Sequence, residues 1–472
     1  MAKDLLPDKT TQPAEWYTRV IQLADLADYG PVKGTMIIKP YGYAIWERVQ
    51  AAMDPMIKQM GVGNAYFPLF IPMSYLEREK SHVEGFAPEL AVVTHGGGEK
   101  LEESLAVRPT SETIMYAAFS NWIQSWRDLP LAINQWCNVV RWEKRTLPFL
   151  RTSEFLWQEG HTAHQTHEEA IQMQQGAMGM YATIYHDFFA LDGYIGQKST
   201  SERFAGADDT LTFEMMMPSG KALQSCTSHD LGQNFAKTFD IKFQAPDRTE
   251  AYVWQTSWGL STRSIGGLIM AHGDANGLVL PPQLAPIEIV IVPVQPDENI
   301  LEYGRKLEIQ LADAGRRVFF DTRDDERFGY KLNKWEVKGV PVIIKLGAKE
   351  VEEQKATLKR RDTGGEKVAS QAELNGHIEA LLQDIQRSLL AKSQALRNEN
   401  TREAANYDDF KAILKEHKGF VKVFWNDNPE AEAKIKAATK ATSRCKVASG
   451  QQGTDFFTGE PATDVWLFAQ SY

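Results

Sequence analysis

The sequence predicts three domains: an α+β domain on an antiparallel sheet, an α/β domain, and a small α/β C-terminal domain. Three observations predict this order. Alternating apolar and polar runs fill the first part of the chain, as in antiparallel strands. A proline-rich segment, PPQLAP, ends that pattern at residues 281–286, and strands alternate with helices after it. We therefore expect domains at residues 1–285, 286–390 and 391–472.

The composition is that of an ordinary globular protein. Of 472 residues, 43% are hydrophobic and 24% charged, and the net charge of −10 gives no general attraction for nucleic acid. The three cysteines, Cys137, Cys226 and Cys445, are too few and too far apart for a disulfide framework, which fits a reducing compartment. The opening residues contain no apolar signal segment, and no later run is long enough to span a bilayer. We expect a cytoplasmic protein with no membrane partner.

The first domain is predicted to contain helices and antiparallel strands. Apolar residues recur at helical spacing through residues 40–61, where Gly61 ends the helix. The following stretch, NAYFPLFIP, is extended because prolines interrupt it. LAINQWCNVVRWE alternates like an antiparallel strand, and TSEFLWQEGHTAH is its expected partner. Thr166 and Glu169 form a capping-box pattern at the start of a further helix.

After the linker, strand and helix patterns alternate, which predicts a parallel-biased α/β domain and a long connecting helix. The last unit is predicted to contain two strands and a helix near Glu430–Thr439. The segments are, in order, IEIVIVPV, NILEYGRKLEIQLADAG, RVFFDT, GYKLNKWEVKG, VPVIIKLG, the long helix NGHIEALLQDIQRSLLAKSQALRNENTREAA, and the strands GFVKVFWND and DVWLFAQSY. The basic stretch KATLKRRDTGGEK has two interpretations, a solvated hairpin or a contact for nucleic acid.

A basic loop beside aromatic residues is the most informative segment. In RWEKRTLPFLRTSEFLWQEG, Arg141 and Arg151 bracket a loop with further basic residues, and aromatic side chains follow at once. Arginine suits phosphate because its planar fork makes bidentate, charge-assisted hydrogen bonds. Phe155 offers a face on which a base can stack. The segment is either a solvated surface hairpin or a site for a triphosphate and a flat base.

Three other segments bring polar side chains close together. RPTSET carries Glu112, and SWGLSTRSIGGLIMAHGD carries Arg263. LQSCTSHDLGQNF carries Gln224, Thr227 and His229. Structural interpretations stay open for each segment: an acid at a helix N-terminus, an arginine in an ion pair, and a hydrogen-bonded core histidine.

These segments, in this order, resemble the class II aminoacyl-tRNA synthetases. GVGNAYFPLF resembles their motif 1, with Pro68 as its proline. Arg141 and Glu143, followed after the loop by Arg151 and Phe155, resemble motif 2. GLSTRSIG resembles motif 3 with its arginine. The resemblance covers essentially the whole chain, and three motifs in order are much more specific than one.

Within that class, the chain resembles the prolyl-tRNA synthetases of the archaeal/eukaryotic-like type. The assignment rests on Thr110-x-Glu112 and Gln224-x-x-Thr227-x-His229, together with YFPLFIP, FLWQEGHTAH and the C-terminal FAQSY. Some relatives insert an editing domain between motifs 2 and 3, but a helix and strands fill that interval here, so we expect none. The resemblance implies a class II synthetase fold and ATP-dependent ligation of L-proline to its tRNA, through prolyl-adenylate.

The resemblance also implies which residues bind ATP. Arg141 and Arg263 are the expected catalytic residues, because the reaction needs positioning and neutralisation of charge on the phosphates. Mg²⁺ is expected to bridge phosphate oxygens and to keep few protein ligands. The implied ATP-binding residues are Arg141, Glu143, Thr152, Phe155, Gln224, Thr227 and Arg263.

The amino acid is expected to bind beside the α-phosphate. Thr110 and Glu112 suit the secondary ammonium group of proline, and the aromatic residues would form apolar walls, although core packing is the default for aromatics. A small apolar pocket rejects a smaller amino acid by only about 1–3 kcal/mol per methylene, so alanine is expected to enter. The implied proline-binding residues are Thr110, Glu112, Arg141, His229, Trp157, Phe204 and Phe86.

The family further implies a homodimer, with a two-fold interface built by motif 1 near Met53, Ile57 and Pro68, and tRNA binding through the second domain. Two rival interpretations stay open. One is a related synthetase for threonine, histidine or glycine. The other is a catalytically inactive relative, which would usually lose ATP-binding arginines, whereas Arg141 and Arg263 are present.

The C-terminal domain departs from relatives that hold a zinc ion with four cysteines. Cys445 is its only cysteine, and no histidine lies beyond His417. A structural zinc site needs about four thiolate or imidazole ligands. We therefore expect no structural zinc.

Purified protein should carry no stoichiometric zinc, and its C-terminal domain should stay folded in a chelator. Elemental analysis of protein prepared without chelators measures the first property, and limited proteolysis with and without chelator measures the second. One zinc per chain, with loss of the C-terminal domain on chelation, would contradict the expectation and point to other ligands.

Overall fold

The computed structural model describes residues 6–77 and 90–472. Phe86, expected in the proline pocket, lies outside these residues. In the described parts of the chain, none of the helices combines the length and the apolarity needed to cross a bilayer. Two large sheets organise these parts, one of eleven strands and one of five.

The helices pack apolar faces against the sheets. Before the linker they are α1 (Pro13–Leu23), α2 (Pro40–Gln59), α3 (Met73–Glu77), α4 (Glu112–Trp122), α5 (His167–Thr183), α6 (Asn234–Thr238) and α7 (Arg263–His272), with a 3₁₀ turn at Trp126–Asp128 and a π-helical turn at Ile184–Phe188. After the linker they are α8 (Glu298–Asp313), α9 (Phe328–Val337), α10 (Ala348–Glu352), α11 (Leu374–Glu399), α12 (Tyr407–Glu416) and α13 (Pro429–Thr439). The helix predicted over residues 40–61 is α2, and the predicted capping box of Thr166 and Glu169 begins α5.

The strands fall into three groups. Those before the linker are β1 (Ala27–Tyr29), β2 (Met36–Ile38), β3 (Gly63–Asn64), β4 (Phe70–Pro72), β5 (Ala91–Gly96), β6 (Glu99–Val107), β7 (Leu131–Val140), β8 (Glu154–His164), β9 (Gly193–Gln197), β10 (Asp209–Met216), β11 (Ala222–Gly232), β12 (Lys242–Gln244), β13 (Glu250–Tyr252) and β14 (Trp254–Ser261). Those of the second domain are β15 (Ile289–Pro293), β16 (Val318–Phe320), β17 (Val342–Leu346), β18 (Lys355–Arg360) and β19 (Glu366–Ser370). The last group is β20 (Thr401–Glu403), β21 (Phe420–Phe424), β22 (Ala441–Ala448), β23 (Gly453–Thr454), β24 (Pro461–Ala462) and β25 (Val465–Gln470).

The central sheet has the order β20-β21-β25-β22-β9-β10-β11-β14-β8-β7-β3. Its neighbours are antiparallel except for the pairs β3/β7 and β20/β21. The two strands expected to pair around the basic loop are β7 and β8, and they pair antiparallel along their whole length. The antiparallel sheet predicted for the first domain is therefore present.

One face of the central strands is closed by α2, α5 and α7. Met53 of α2, Tyr181 of α5 and Leu268 of α7 are fully buried in one apolar cluster that also contains Trp258 of β14. The indole of Trp258 lies where a side chain of Gly160 would project, since a Cβ there would be 2.2 Å from the ring. This face is therefore filled, and any cavity over these strands must lie on the other face.

The second domain has the order β16-β15-β17-β18-β19. β16, β15 and β17 are parallel and the last two strands are antiparallel, which agrees with the predicted parallel-biased α/β domain. The predicted boundary at residue 390 lies inside α11, whose first half packs in the core of this domain and whose second half continues to residue 399. A charged interface joins the domain to α7, because Arg361, almost fully buried, binds both carboxylate oxygens of Asp274 at 2.6 and 2.7 Å.

The basic stretch of the second domain is the hairpin of β18 and β19. Arg360 pairs with Asp362 at 2.7 Å and also with Asp384, and Lys359 pairs with Glu336. These partners neutralise much of the positive charge within the protein, which favours the hairpin interpretation over a nucleic-acid contact.

The C-terminal domain packs α12 and α13 against its strands, as an α/β unit should. Its sheet is not separate, however, because β22 pairs with β9 at Lys446 and Gln197 and so continues the central sheet. Gly196 permits this approach, since a Cβ at that position would be 2.1 Å from the carbonyl oxygen of Lys446. The sequence pattern did not indicate which strand edges would meet.

Candidate active site

A cavity of about 280 Å³ opens on the face of the central sheet opposite the helical core. Side chains that face one another across antiparallel strands project from the same side of a sheet, so the register arranges the floor in rows. One row contains Glu159, Gly259, Thr227 and Thr212, and the next contains His161, Ser257, His229 and Thr210. Gly259 leaves the middle of the floor without a side chain, which provides room for a ligand.

Most of the residues predicted from sequence meet at this cavity. Ten of them line it: Thr110, Glu112, Arg141, Phe155, Trp157, Phe204, Gln224, Thr227, His229 and Arg263. Glu143 and Thr152 line a smaller adjoining cavity, which they share with Arg141, Phe155 and Arg263. Segments separated by more than a hundred residues therefore form one continuous site.

Arg141 lies between the two parts of the cavity. It follows β7, and its Nε donates a hydrogen bond to the carbonyl oxygen of Pro109 at 3.1 Å. Its guanidinium carbon lies 5.5 Å from the ring centroid of Phe155 and 5.6 Å from that of Trp157. Contacts of this kind orient the guanidinium group, so a ligand meets it in a preset position.

The basic loop itself is held by an ion pair. Arg151 is half exposed, and its Nε donates to Glu143 at 2.7 Å. Glu143 is more buried than its partner, so the pair fixes the carboxylate beside Arg141 rather than in solvent. The loop is thus ordered around the cavity and is more than a solvated hairpin.

Arg263 is the first residue of α7, and its Nε donates to the carbonyl oxygen of Leu150 at 3.2 Å. Burial lowers the pKa of Arg263, and the nearby charge of Arg151 lowers it further. A cation is unfavourable at a helix N-terminus, where the backbone dipole is also positive. The two positive features together favour an anion at this end of the cavity.

At the other end, Glu112 is the first residue of α4 and is almost fully buried. The hydroxyl group of Thr110 donates a short hydrogen bond to its Oε2. A buried carboxylate in the wall of a cavity presents negative charge to a ligand, so this position suits a bound cationic group.

His229 joins two neighbouring strands of the floor. Its Nδ1 lies 2.8 Å from the hydroxyl oxygen of Thr210, and its Nε2 lies 3.0 Å from that of Thr227. The ring of Phe204 lies against it, with centroids 4.6 Å apart. These contacts fix the imidazole as part of the cavity wall.

Glu159 and His161 lie on the cavity floor, although no sequence motif assigned them a role. Glu159 Oε1 accepts hydrogen bonds from Ser111 at 2.6 Å and from Gln135 at 2.9 Å. Its Oε2 lies 2.9 Å from His161 Nε2, and His161 Nδ1 lies 3.1 Å from the hydroxyl group of Tyr116. The period of two in FLWQEGHTAH was a usable signal, because Trp157, Glu159 and His161 project from the same face of β8.

The Glu159–His161 pair shifts the pKa values of both groups. Burial alone would raise the pKa of Glu159, but His161 and the other hydrogen bonds lower it below its ordinary value. Burial alone would lower the pKa of His161, but Glu159 raises it above the ordinary value. The floor therefore contains a buried carboxylate whose histidine partner binds a proton more readily than a free imidazole does.

Lys198 and Glu202 complete the wall, and neither was predicted. Lys198 follows β9 and binds Glu214 of β10 at 2.9 Å, with both groups fully buried. No sequence motif identified these two residues, because Lys198 is brought to Glu214 and to the cavity only by the pairing of β9 with β10.

The cavity is electrically divided. Two buried carboxylates, Glu112 and Glu159, lie near His161 at one end, and Arg263 lies near Glu143 and Arg151 at the other. Arg141 lies between them, beside the rings of Phe155 and Trp157. The first end suits a small ligand with an ammonium group and an apolar body, and the second suits phosphates beside a stacking ring. Arg141 lies where a ligand of each kind would meet.

Three family models match the chain in succession. A class II tRNA synthetase core domain (G, H, P, S and T) matches residues 94–272, an anticodon-binding domain matches residues 288–383, and a prolyl-tRNA synthetase C-terminal domain matches residues 407–472. Curated relatives match the whole length. A proline–tRNA ligase of Rubrobacter xylanophilus is 48% identical, with 100% of this chain and 99% of that protein covered. One of Cytophaga hutchinsonii is 49% identical, with 99% of each covered.

The chain belongs to the prolyl-tRNA synthetase family. A solved structure agrees with the assignment: prolyl-tRNA synthetase from Cryptosporidium parvum, complexed with halofuginone and AMPPNP, has a TM-score of 0.95 and 41% identity, over 99% of this chain and 100% of that one. In this member of the family, the interval between Phe155 and Arg263 contains α5, α6 and β9–β14. Of these strands, β9, β10, β11 and β14 belong to the central sheet, and β12 and β13 form a small separate sheet.

Replacing Glu159 with glutamine should lower the pKa of His161, because burial is then opposed by the charge of Glu112 alone and no longer by the directly bonded carboxylate. Histidine ring signals in NMR, followed against pH and assigned with a His161→Asn variant, measure this. His164 is an internal control, since burial lowers its pKa to about 4 without contact with Glu159. An unchanged His161 titration in folded E159Q would contradict the pairing.

Proposed function

We propose that the protein ligates L-proline to its tRNA with ATP, in two steps through prolyl-adenylate. The observation that carries the proposal is the divided cavity: carboxylates lie at one end, Arg263 at the other and Arg141 between them, in a chain whose full-length relatives are proline–tRNA ligases. An inactive relative is disfavoured, because Arg141 and Arg263 both line this cavity.

The first step is an in-line displacement at the α-phosphorus of ATP. The carboxylate of proline is already a nucleophile, so the protein needs to align two reactants and neutralise developing charge. Arg141 would contact the α-phosphate and the proline carboxylate together, which its place between the two ends allows. Arg263 and Phe155 would take the adenine from opposite faces, and Glu143, Thr152, Gln224 and Thr227 would supply hydrogen bonds to the nucleotide.

Mg²⁺ would enter with ATP. Among residues 6–77 and 90–472, no group of three or more histidine, cysteine, aspartate or glutamate side chains could hold a metal ion by itself. Glu143 is a suitable oxygen donor near the phosphate end, and Mg²⁺ that bridges phosphates needs few protein ligands. The ion would supply charge neutralisation on the phosphates.

Proline would bind at the carboxylate end. Its ammonium group would donate hydrogen bonds to Glu112 and to the hydroxyl oxygen of Thr110, while Trp157 and Phe204 would enclose the ring. His229 would close the wall beside it. We further infer that Glu159 contributes negative charge beneath the ammonium group, and that the second step, transfer to the 3′ end of tRNA, takes place in the cytoplasm.

Pyrophosphate exchange into ATP should depend on proline and be far weaker with threonine, histidine or glycine. In this assay, Arg141→Ala should lower the rate by about two to three orders of magnitude, the usual effect of losing one preset group that stabilises the transition state. Arg145→Ala is the matched control, since Arg145 is an exposed arginine of the same loop. Exchange supported best by another amino acid would overturn the substrate, and near wild-type exchange by folded R141A would overturn the role of Arg141.

We also propose a homodimer built at motif 1. Pro68 is exposed there, as are Tyr66 (71%) and Phe70 (47%), next to the edge strand β3. Met53 and Ile57, expected at the interface, are fully buried in the core of their own chain and are not available to a partner. The apolar contact would therefore come from the extended segment of motif 1 and not from the inner face of α2.

Light scattering at micromolar concentration should give about twice the 53.2 kDa mass of one chain. The double variant Tyr66→Asp, Phe70→Asp should shift the mass toward one chain, because it places charge in an apolar interface. Tyr330→Asp, at an exposed aromatic residue of the second domain, is the control. A wild-type mass of one chain would contradict the proposal.

A further inference from the structure

A buried ion-pair network, formed by Lys198, Glu214 and Arg444, joins the C-terminal domain to the cavity wall. Arg444 of β22 donates from Nε and Nη2 to Glu214 Oε2 at 2.9 and 2.8 Å. Lys198 donates from Nζ to the other oxygen, Oε1, at 2.9 Å. The side chains of these residues are 5% exposed or less. Two cations from different domains thus share one carboxylate.

The backbone aims Arg444 at this carboxylate. The pairing of β22 with β25 shifts register between Ser443 and Cys445, so Arg444 lies in a β-bulge. A bulge turns one side chain out of the regular alternation. Next to the bulge, β22 pairs with β9, and the absence of a side chain at Gly196 lets the two strands approach closely. The bulge therefore lies close to the catalytic domain.

The charged neighbours in the network shift the pKa values of Glu214 and Arg444. Burial alone would raise the pKa of Glu214, but Arg444 and Lys198 lower it below its ordinary value. Burial alone would lower the pKa of Arg444, but Glu214 raises it. Glu214 and Arg444 therefore each favour the charged form of the other.

Lys198 lines the cavity, whereas Arg444 does not. Glu214 lies directly across from Gln224 in the pairing of β10 with β11, and Gln224 also lines the cavity. If Arg444 were lost, Oε2 would be a buried, charged acceptor without its two donors, a state that is strongly unfavourable. Among the described residues, Lys198 is the other cation paired with this carboxylate, so it would move toward Oε2 and away from the wall.

We propose that Arg444 is a positioning residue for the nucleotide side of the active site, which it controls through Glu214, Lys198 and the strand that carries Gln224. This inference rests on the proposed function, because it concerns how ATP is bound in that reaction. The C-terminal domain is then a part of the adenylation machinery. Its effect reaches ATP without direct contact between Arg444 and the nucleotide.

The test is pyrophosphate exchange by the full-length chain with Arg444→Met, which keeps volume and removes the charge. The KM for ATP should rise at least tenfold, while the KM for proline changes less than threefold. Lys198→Met should give the same signature, and the double variant should add little to either, because both changes act on one element.

Asp427→Asn is the matched control, since Asp427 binds Thr200 at the same domain junction without touching Glu214. It should leave the KM for ATP unchanged, even if it lowers the melting temperature. The proposal is overturned if folded R444M keeps the wild-type KM for ATP, or if D427N changes it equally. Should R444M fail to fold, Arg444→Lys keeps the charge but loses the two-donor fork, and a wild-type KM for ATP in that variant would likewise overturn the proposal.

Absence of proline-dependent exchange in the wild type would instead reject the proposed function.

Discussion

The register of β8, β14, β11 and β10 is the constraint on which the whole site depends. Each strand presents alternate residues to the helical core and to the cavity, so a slip of one residue would exchange the two sets. The core side pins the register, because the indole of Trp258 occupies the space above Gly160, where even a Cβ would be 2.2 Å from the ring. The rows that contain Glu159 and His161 follow from that packing. The packing of the core therefore also fixes the geometry of the site.

The cavity also separates positive and negative side chains along its length. The floor and the start of α4 supply buried carboxylates at one end, the start of α7 supplies Arg263 at the other, and Arg141, which follows β7, lies between them. Buried charges persist only with partners, and each group here has contacts that hold its orientation. The protein thus has its charges in place before a ligand arrives, which lowers the reorganisation needed during reaction.

The domains meet at charged contacts that lead to the same site. Arg361 of the second domain holds Asp274, the residue after the C-terminal cap of α7, while Arg263 begins that helix. Because α7 is buried along most of its length, the contact with the anticodon-binding domain and the arginine at the cavity are two ends of one rigid element. Arg444 makes the comparable connection from the C-terminal domain through Glu214. The central sheet, shared by the first and last domains, keeps these connections short.

The sequence by itself determined the fold class, the family and ten of the residues that line the main cavity. Local patterns were sufficient for α2, the β7–β8 hairpin and the strand–helix alternation after the linker, because these depend on periodicity and on residues near in the chain. Motifs identified residues such as Arg141 and Thr227 since they recur in short, ordered segments. Only the tertiary structure decided that β22 joins β9, that Met53 and Ile57 face their own core, and that Lys198 and Glu159 belong to the cavity. Those outcomes depend on which strand edges meet and on side chains far apart in sequence. Burial and ion pairing act through space, and a linear pattern records neither.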